Sequence, residues 1–468
     1  MHRSFKLLAA LLLVLLLQAC ASVQYQPLAT IDRIAPQEGY RLRQAITRQQ
    51  LPGNADDIFM VVMFSGGGSR AAALGYGVLD ELRRQQFEWN GKTHRLFDQV
   101  DLTFGVSGGS ILSAYYALHG EDMFGDFERD FLKQNLQGNI ARKAFTITNW
   151  SRLTSPQFGR GDLLEEQLNL ALFRHATFGD LAHRRKGPFT VIGSTDMASG
   201  TRLDFTQEAF DPLCLDLSAL PLARAVAASS AVPLVFSPLT LNNNGGHCGY
   251  AVPGEMEQAV FYADPNALQT TTRRELLDNV LSYGNREKRP YIHLLDGGLV
   301  DNLGLRSLLD MTQLYSNKQL YDQFTVHNTR KIVVINVNAQ NRMDTTIDRS
   351  ADVPRLREVV QALINIPIDR NSQESVRQFR RLADNWRKDE ERRVQLQGGE
   401  PIELYFISLT LKDLADSALR EEMLNVPTSL YLPGPTVEKL KRAGADLLNQ
   451  SEEFGQLRKA LGLRRDER

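Results

Sequence analysis

From residue 58 the chain alternates between unbroken apolar runs and stretches whose apolar residues recur at helical spacing. Ile58-Phe59-Met60-Val61-Val62-Met63-Phe64 is continuous and ends in glycines, as expected of a strand buried on both faces. Leu74, Val78, Leu79 and Leu82 then mark one face of a helix over 71–84. The same order returns with Leu102-Thr103-Phe104, a glycine-rich turn and a helix over 110–118. Two such units in succession predict an α/β fold with a largely parallel sheet and helices on both faces. Further strands are expected at 189–194, 202–205, 291–295, 331–337 and 403–409.

Two long segments interrupt this rhythm. Residues 242–289 are polar, with helical character only at 275–281. A segment of that length near a site is a candidate lid, although a surface excursion is the simpler expectation. Residues 342–399 are charged and helical, with one apolar face at Leu356, Val359, Val360 and Leu363 and another at Val376, Phe379, Leu382 and Trp386. Both faces are expected to pack on the body of the protein, with a membrane-facing role as the alternative. No internal repeat is visible.

The N-terminus has a different texture. Arg3 and Lys6 precede an apolar run over 7–17, too short for a membrane-spanning helix and of signal-peptide size. It ends Leu17-Gln18-Ala19-Cys20, which resembles the lipobox of bacterial lipoproteins, whose cysteine is lipidated and becomes the mature N-terminus. An ordinary secretory signal is the alternative. Ala21 stands where an aspartate is associated with inner-membrane retention, so the resemblance implies a lipid anchor in the outer membrane, facing the periplasm. Fifty-four basic residues balance fifty-five acidic ones without a polybasic run, which argues against nucleic acid as a partner. Cys214 and Cys248 could form one disulfide in such a compartment or remain two unrelated thiols.

Three glycine-marked stretches carry candidate chemistry. Gly105-Val106-Ser107-Gly108-Gly109 fits a nucleophile elbow, in which a tight strand-to-helix turn exposes the Ser107 hydroxyl. Gly66-Gly67-Gly68-Ser69-Arg70 also joins a strand to a helix, and its bare N–H groups and Arg70 suit a developing anion. It lacks the order of phosphate and dinucleotide loops. Asp296-Gly297-Gly298 ends an apolar strand, placing a carboxylate at the edge where ligands bind in parallel sheets. Each alone is weak, since Gly-Ser and Asp-Gly are ordinary turn residues.

Together and in this order, the three resemble the patatin-like phospholipases. Ser199 to Phe205 and the block Ala228-Ser229-Ser230-Ala231-Val232-Pro233 through Pro238 also resemble that family, as does Asn425-Val426-Pro427-Thr428-Ser429 more loosely. The resemblance implies a three-layer αβα sandwich with a mainly parallel sheet. It implies a Ser107–Asp296 dyad, an oxyanion hole at Gly66, Gly67, Gly68 and Arg70, and supporting glycines at 105, 109, 297 and 298. A membrane lipid is then the expected substrate, with protein partners left open. The organisation expected is a signal peptide (1–19), a tether (20–56), a catalytic domain (57–340) and a helical C-terminal extension (341–468).

Histidine bears on the mechanism. His293 lies three residues before Asp296 on one strand and so points to the opposite face. A Ser-His-Asp triad of α/β-hydrolase order would need His327, which no helpful motif surrounds. No His or carboxylate cluster has metal-ligand spacing, so neither metal nor other cofactor is expected. A different class stays open: a catalytically silent lipoprotein that binds lipid or scaffolds envelope partners.

Overall fold

The computed structural model describes residues 23–42, 53–55, 57–252, 254, 268–314, 328–342 and 346–466. Cys20, the signal peptide and His327 lie outside these residues. β1 (Ile58–Phe64) is the apolar run, and its side chains are buried on both faces. After the helix Gly68–Arg84 come β2 (Gln85–Trp89) and β3 (Lys92–Arg95), then β4 (Val100–Val106) and the helix Gly108–His119. β5 (Phe189–Asp196) is buried along its whole length, and β6 (Thr201–Asp204) turns back on it antiparallel. β7 (Leu239–Asn242), β8 (Tyr291–Asp296), β9 (Lys331–Asn338), β10 (Glu403–Thr410) and β11 (Arg464–Arg465) follow.

The main sheet runs β10-β9-β1-β4-β5-β8-β7, with β6 on β5, and a small sheet joins β11, β2 and β3. The pairs from β10 through β5 are parallel, so the mainly parallel sandwich is what forms. Stepping from β1 to β4 to β5 moves in one direction, and right-handed crossovers put both connecting helices on one face. There Gly68–Arg84 packs on Gly108–His119 and along Gly434–Gln450. The step from β9 to β10 moves the other way, so Leu356–Gln397 covers the opposite face beside Leu305–Leu314.

The strand expected at 403–409 forms as β10 and completes the sheet beside β9. Two expectations change. β8 is antiparallel to β5, because the chain returns to the sheet through β7 rather than by a parallel crossover. Finally, the long helix buries one apolar face, through Phe379 and Ala383, while Leu356 (79%) and Leu363 (67%) stand in water. Those residues belong to turns that extend past the elements on which its second half packs.

Cys214 and Cys248 are bonded, with 5.6 Å between their α-carbons. The bond fastens the start of the 242–289 segment to the loop after β6. The far end is fastened as well, since the Tyr283 hydroxyl and Arg289 Nη2 both donate to the buried Asp196 carboxylate, at 3.0 and 2.6 Å. Its predicted helix is longer than expected, Leu268–Tyr283.

Candidate active site

Strand register brings the three glycine-marked stretches together. Phe64 pairs with Gly105, so Gly66 comes level with Ser107 two residues on. Val106 pairs with Gly193 and Ser194 pairs with Asp296, so Asp296 comes to that same level from across β5. Ser107 and Asp296 thus stand at one edge of the sheet with a single strand between them.

Ser107 has φ 52° and ψ −124°, a strained backbone for a residue with a side chain, and it caps the helix Gly108–His119. The turn is possible because its neighbours are small. A Cβ on Gly108 would lie 2.1 Å from Gly68 O, so the elbow and the glycine loop touch backbone to backbone. The Ser107 N–H donates to Ser229 Oγ at 2.8 Å, and Ser229 Oγ in turn donates to Gly193 O at 2.6 Å.

Asp296 is buried, and desolvation pushes its carboxyl up to about 6. Two weaker influences oppose this, the Gly298 N–H, which donates to Oδ1 at 2.8 Å, and the nearby Ser107 hydroxyl. Oδ2 is buried and makes no full hydrogen bond among the described residues. Thr195 Oγ1 donates to Asp296 O at 2.9 Å, and Ala231 O accepts the Asp296 N–H at 3.0 Å.

The glycine loop divides into occupied and open donors. Gly66 N–H donates to Asn302, at 3.2 Å to both its backbone O and its Oδ1, and is therefore not free for an oxyanion. Arg70 is held by bonds of its own. Its Nε donates to Ala339 O at 2.7 Å, Nη1 to Val426 O at 2.5 Å and Nη2 to Thr428 Oγ1 at 3.0 Å. Burial pulls the guanidinium down to about 10, and its charge still faces the loop, with Nη2 3.3 Å from where a Gly67 Cβ would be. Among the described residues, the Gly67 and Gly68 N–H groups donate to no protein acceptor. Gly67, at φ 140°, holds a conformation closed to other residues.

Beneath Asp296, Asn302 Oδ1 lies within 3.0 Å of a Cβ built on Gly298, so loop and carboxylate share one small space. Arg202 stiffens that loop by reaching Asp204, Asp310 and Asp301 at 3.0, 3.1 and 3.7 Å. His293 is exposed and bonds Thr240 Oγ1 at 3.0 Å, on the face predicted for it. None of the described histidines bonds Ser107 or Asp296. Among the described residues no group of three His, Cys, Asp or Glu side chains is arranged to hold a metal ion.

Ser229 and Asn302 were not legible as site residues. Ser229 lies within a recognisable block but acts through a bond to a residue 122 positions away, and Asn302 reaches Gly66 across 236.

Comparison with known proteins fits this geometry. No curated protein matches the chain. Among solved structures, human GIVD cytosolic phospholipase A2 is similar at 13% identity and TM-score 0.41, over 90% of this chain and 64% of that one. The same human protein in complex with methyl gamma-linolenyl fluorophosphonate gives 13% identity and TM-score 0.44, over 94% and 66%. This chain therefore spans about two thirds of the length of those proteins, and so distant a likeness adds no weight. The family model described as Patatin-like phospholipase does: it matches residues 62–309, more than half of the chain, including Ser107 and Asp296. The chain belongs to the patatin-like phospholipase family.

Proposed function

We propose that this protein is a serine acyl hydrolase that cleaves fatty-acyl esters of phospholipids or lysophospholipids through a Ser107–Asp296 dyad. One observation carries the reading: a serine on a strained elbow stands level with a buried carboxyl whose Oδ2 makes no full hydrogen bond among the described residues. In this reading Ser107 Oγ attacks the acyl carbonyl carbon and its proton passes to Asp296 Oδ2. A carboxyl at about 6 is a stronger base than an ordinary one and is still mostly ionised at pH 7.

The tetrahedral oxygen would be held by the Gly67 and Gly68 N–H groups, each such donor being worth about 3–4 kcal/mol of barrier. The N-terminus of Gly108–His119 and the Arg70 charge add positive potential. The ester C–O bond then breaks as Asp296 returns its proton to the leaving alcohol. Water attacks the acyl-serine, gives its proton to Asp296 and releases the fatty acid, and Ser107 is protonated again.

Lipidation at Cys20 would keep the enzyme on the outer membrane, facing the periplasm, beside its substrate. The Cys214–Cys248 bond supports an oxidising compartment. A fluorophosphonate probe tests the chemistry: the full chain should be labelled and hydrolyse phospholipid, and Ser107→Ala should do neither. Equal labelling or turnover in Ser107→Ala would overturn the assignment.

A further inference from the structure

Between Asp130 and Asp162 the chain has no acidic residue and five basic ones, Lys133, Arg142, Lys143, Arg152 and Arg160. Lys133 and Arg152 pair with Glu128 and Glu166. Among the described residues, Arg142, Lys143 and Arg160 have no carboxylate partner. The same stretch holds Phe145 89% exposed and Trp150 70% exposed, where the helix Leu136–Ala144 meets the helix Ile147–Leu153. Two aromatic rings left in water beside unpaired cations are an unusual surface for a monomer.

Its surroundings narrow the occupant. The described chain begins against this stretch, since Ser155 Oγ donates to Val23 O at 2.9 Å and Tyr25 N–H to Gln157 Oε1 at 2.7 Å. At the end of the stretch, Arg160 Nη2 donates to Leu234 O at 2.7 Å, and Leu234 (63%) and Val235 (52%) are exposed. Three residues before Leu234, Ala231 O accepts the N–H of Asp296. The Arg160 side chain and the backbone of 231–234 thus link the end of the basic stretch to the rim of the candidate site.

We propose that Phe145, Trp150, Leu234 and Val235, with Arg142 and Lys143 among them, form the face that lies on an anionic bilayer. Tryptophan suits the headgroup region because its ring is apolar and its N–H polar. Lysine and arginine are drawn to anionic lipid, and no acidic residue of the stretch opposes them. Lipid arriving over this face meets the loop that holds Asp296. The proposal rests on the lipid-hydrolase reading but not on lipidation of Cys20.

The test uses full-length protein carrying Ser107→Ala, so that binding is read without chemistry. With phosphatidylglycerol-rich vesicles containing brominated lipid, tryptophan fluorescence should be quenched, and the quenching should be lost in Trp150→Phe, which leaves Trp89 and Trp386 in place. In the active protein, Arg142→Glu with Lys143→Glu should slow hydrolysis of vesicle phospholipid at least tenfold. The rate on a soluble p-nitrophenyl butyrate should stay within twofold. Absent quenching, quenching that survives Trp150→Phe, or an unchanged vesicle rate would overturn the proposal. So would a dimer that Trp150→Ser dissociates, since a second copy would then be the occupant. Failure of the esterase chemistry alone would leave the quenching intact.

Discussion

Ser229 Oγ accepts the Ser107 N–H at 2.8 Å, and Ser229 O accepts the Gly297 N–H at 3.2 Å. One buried residue therefore holds the backbone of the strained serine and the backbone that follows Asp296. Its hydroxyl also donates to Gly193 O, on the strand between the two. The spacing of the dyad is set by a third residue that belongs to neither of its loops.

Ser229→Ala should then act on turnover through position. The substitution leaves the Ser107 N–H buried without an acceptor, at a cost of about 1–3 kcal/mol in stability. Because φ at Ser107 is already strained, part of that cost should appear as relaxation of the elbow. A fall in kcat of more than about tenfold with a nearly constant KM is expected. Kinetics on a soluble ester, beside urea midpoints, check this. A stability loss with unchanged kcat would make Ser229 merely structural.

Asp296→Asn should raise stability while removing activity. The Asp296 carboxyl is held above its ordinary value of 3.8, at about 6, so the folded state binds this proton more tightly than the unfolded chain. Stability from that difference is fully present below about pH 4 and is lost as pH rises through about 6. The shift of roughly two units corresponds to about 3 kcal/mol. Asparagine can still accept the Gly298 N–H without carrying a buried charge. Thermal midpoints should therefore favour the variant at pH 8 and converge at pH 4, and a variant less stable at pH 8 would refute the argument.

The wild-type rate should follow the ionised base. Below about pH 6 it should fall tenfold per unit, and above pH 7 it should be flat. Asp301 is pushed up to about 6 as well, by burial that Arg202 only partly offsets. Profiles of kcat on a soluble ester for wild type and Asp301→Asn separate the two. The limb should persist in that variant; its disappearance would assign the titration to Asp301.

What the sequence made legible follows from how local each feature is. The β1 and β4 runs, the elbow and the Asp-Gly-Gly turn each depend on adjacent residues, so pattern alone located them. The direction of β8 was not local, because nothing within residues 291–296 records that the preceding strand is β7. Likewise, three glycines in a row signal bare amides but not which of them is already bonded. Gly66 is occupied because Asn302 comes from a remote loop, and Arg70 because the C-terminal segment supplies its acceptors. The apolar stripe at Leu356 and Leu363 shows the same limit, since amphipathic spacing cannot say whether a partner surface extends far enough to cover it.

The Cys214–Cys248 bond closes a span of 34 residues. In the chain-entropy account a loop of this length stabilises the fold by about 3–4 kcal/mol. Replacing both cysteines by alanine should lower the urea midpoint correspondingly. Activity of the folded remainder should persist, because the bond lies outside the Ser107–Asp296 junction. An inactive but stably folded double variant would show that the 242–289 segment shapes the site.

Arg70 gives the last prediction, because it joins the glycine loop to a segment beyond the span that marks the family. Ser69 N–H donates to Ser429 O at 2.8 Å, in parallel with the Arg70 bonds to Val426 O and Thr428 Oγ1. The segment 426–429 therefore grips the loop by main chain and by a buried cation that has no carboxylate partner among the described residues. Arg70→Met removes all three guanidinium bonds and leaves two carbonyls unsatisfied, which should destabilise the fold by about 2–4 kcal/mol. Thr428→Val removes one bond and almost no volume, so the fold should survive and report on the loop alone. If Gly67 and Gly68 hold the oxyanion, a slackened loop should lower kcat about threefold to tenfold in Thr428→Val while KM stays nearly constant. An intact kcat in a folded Thr428→Val would mean that the loop keeps its donors aligned without the C-terminal grip.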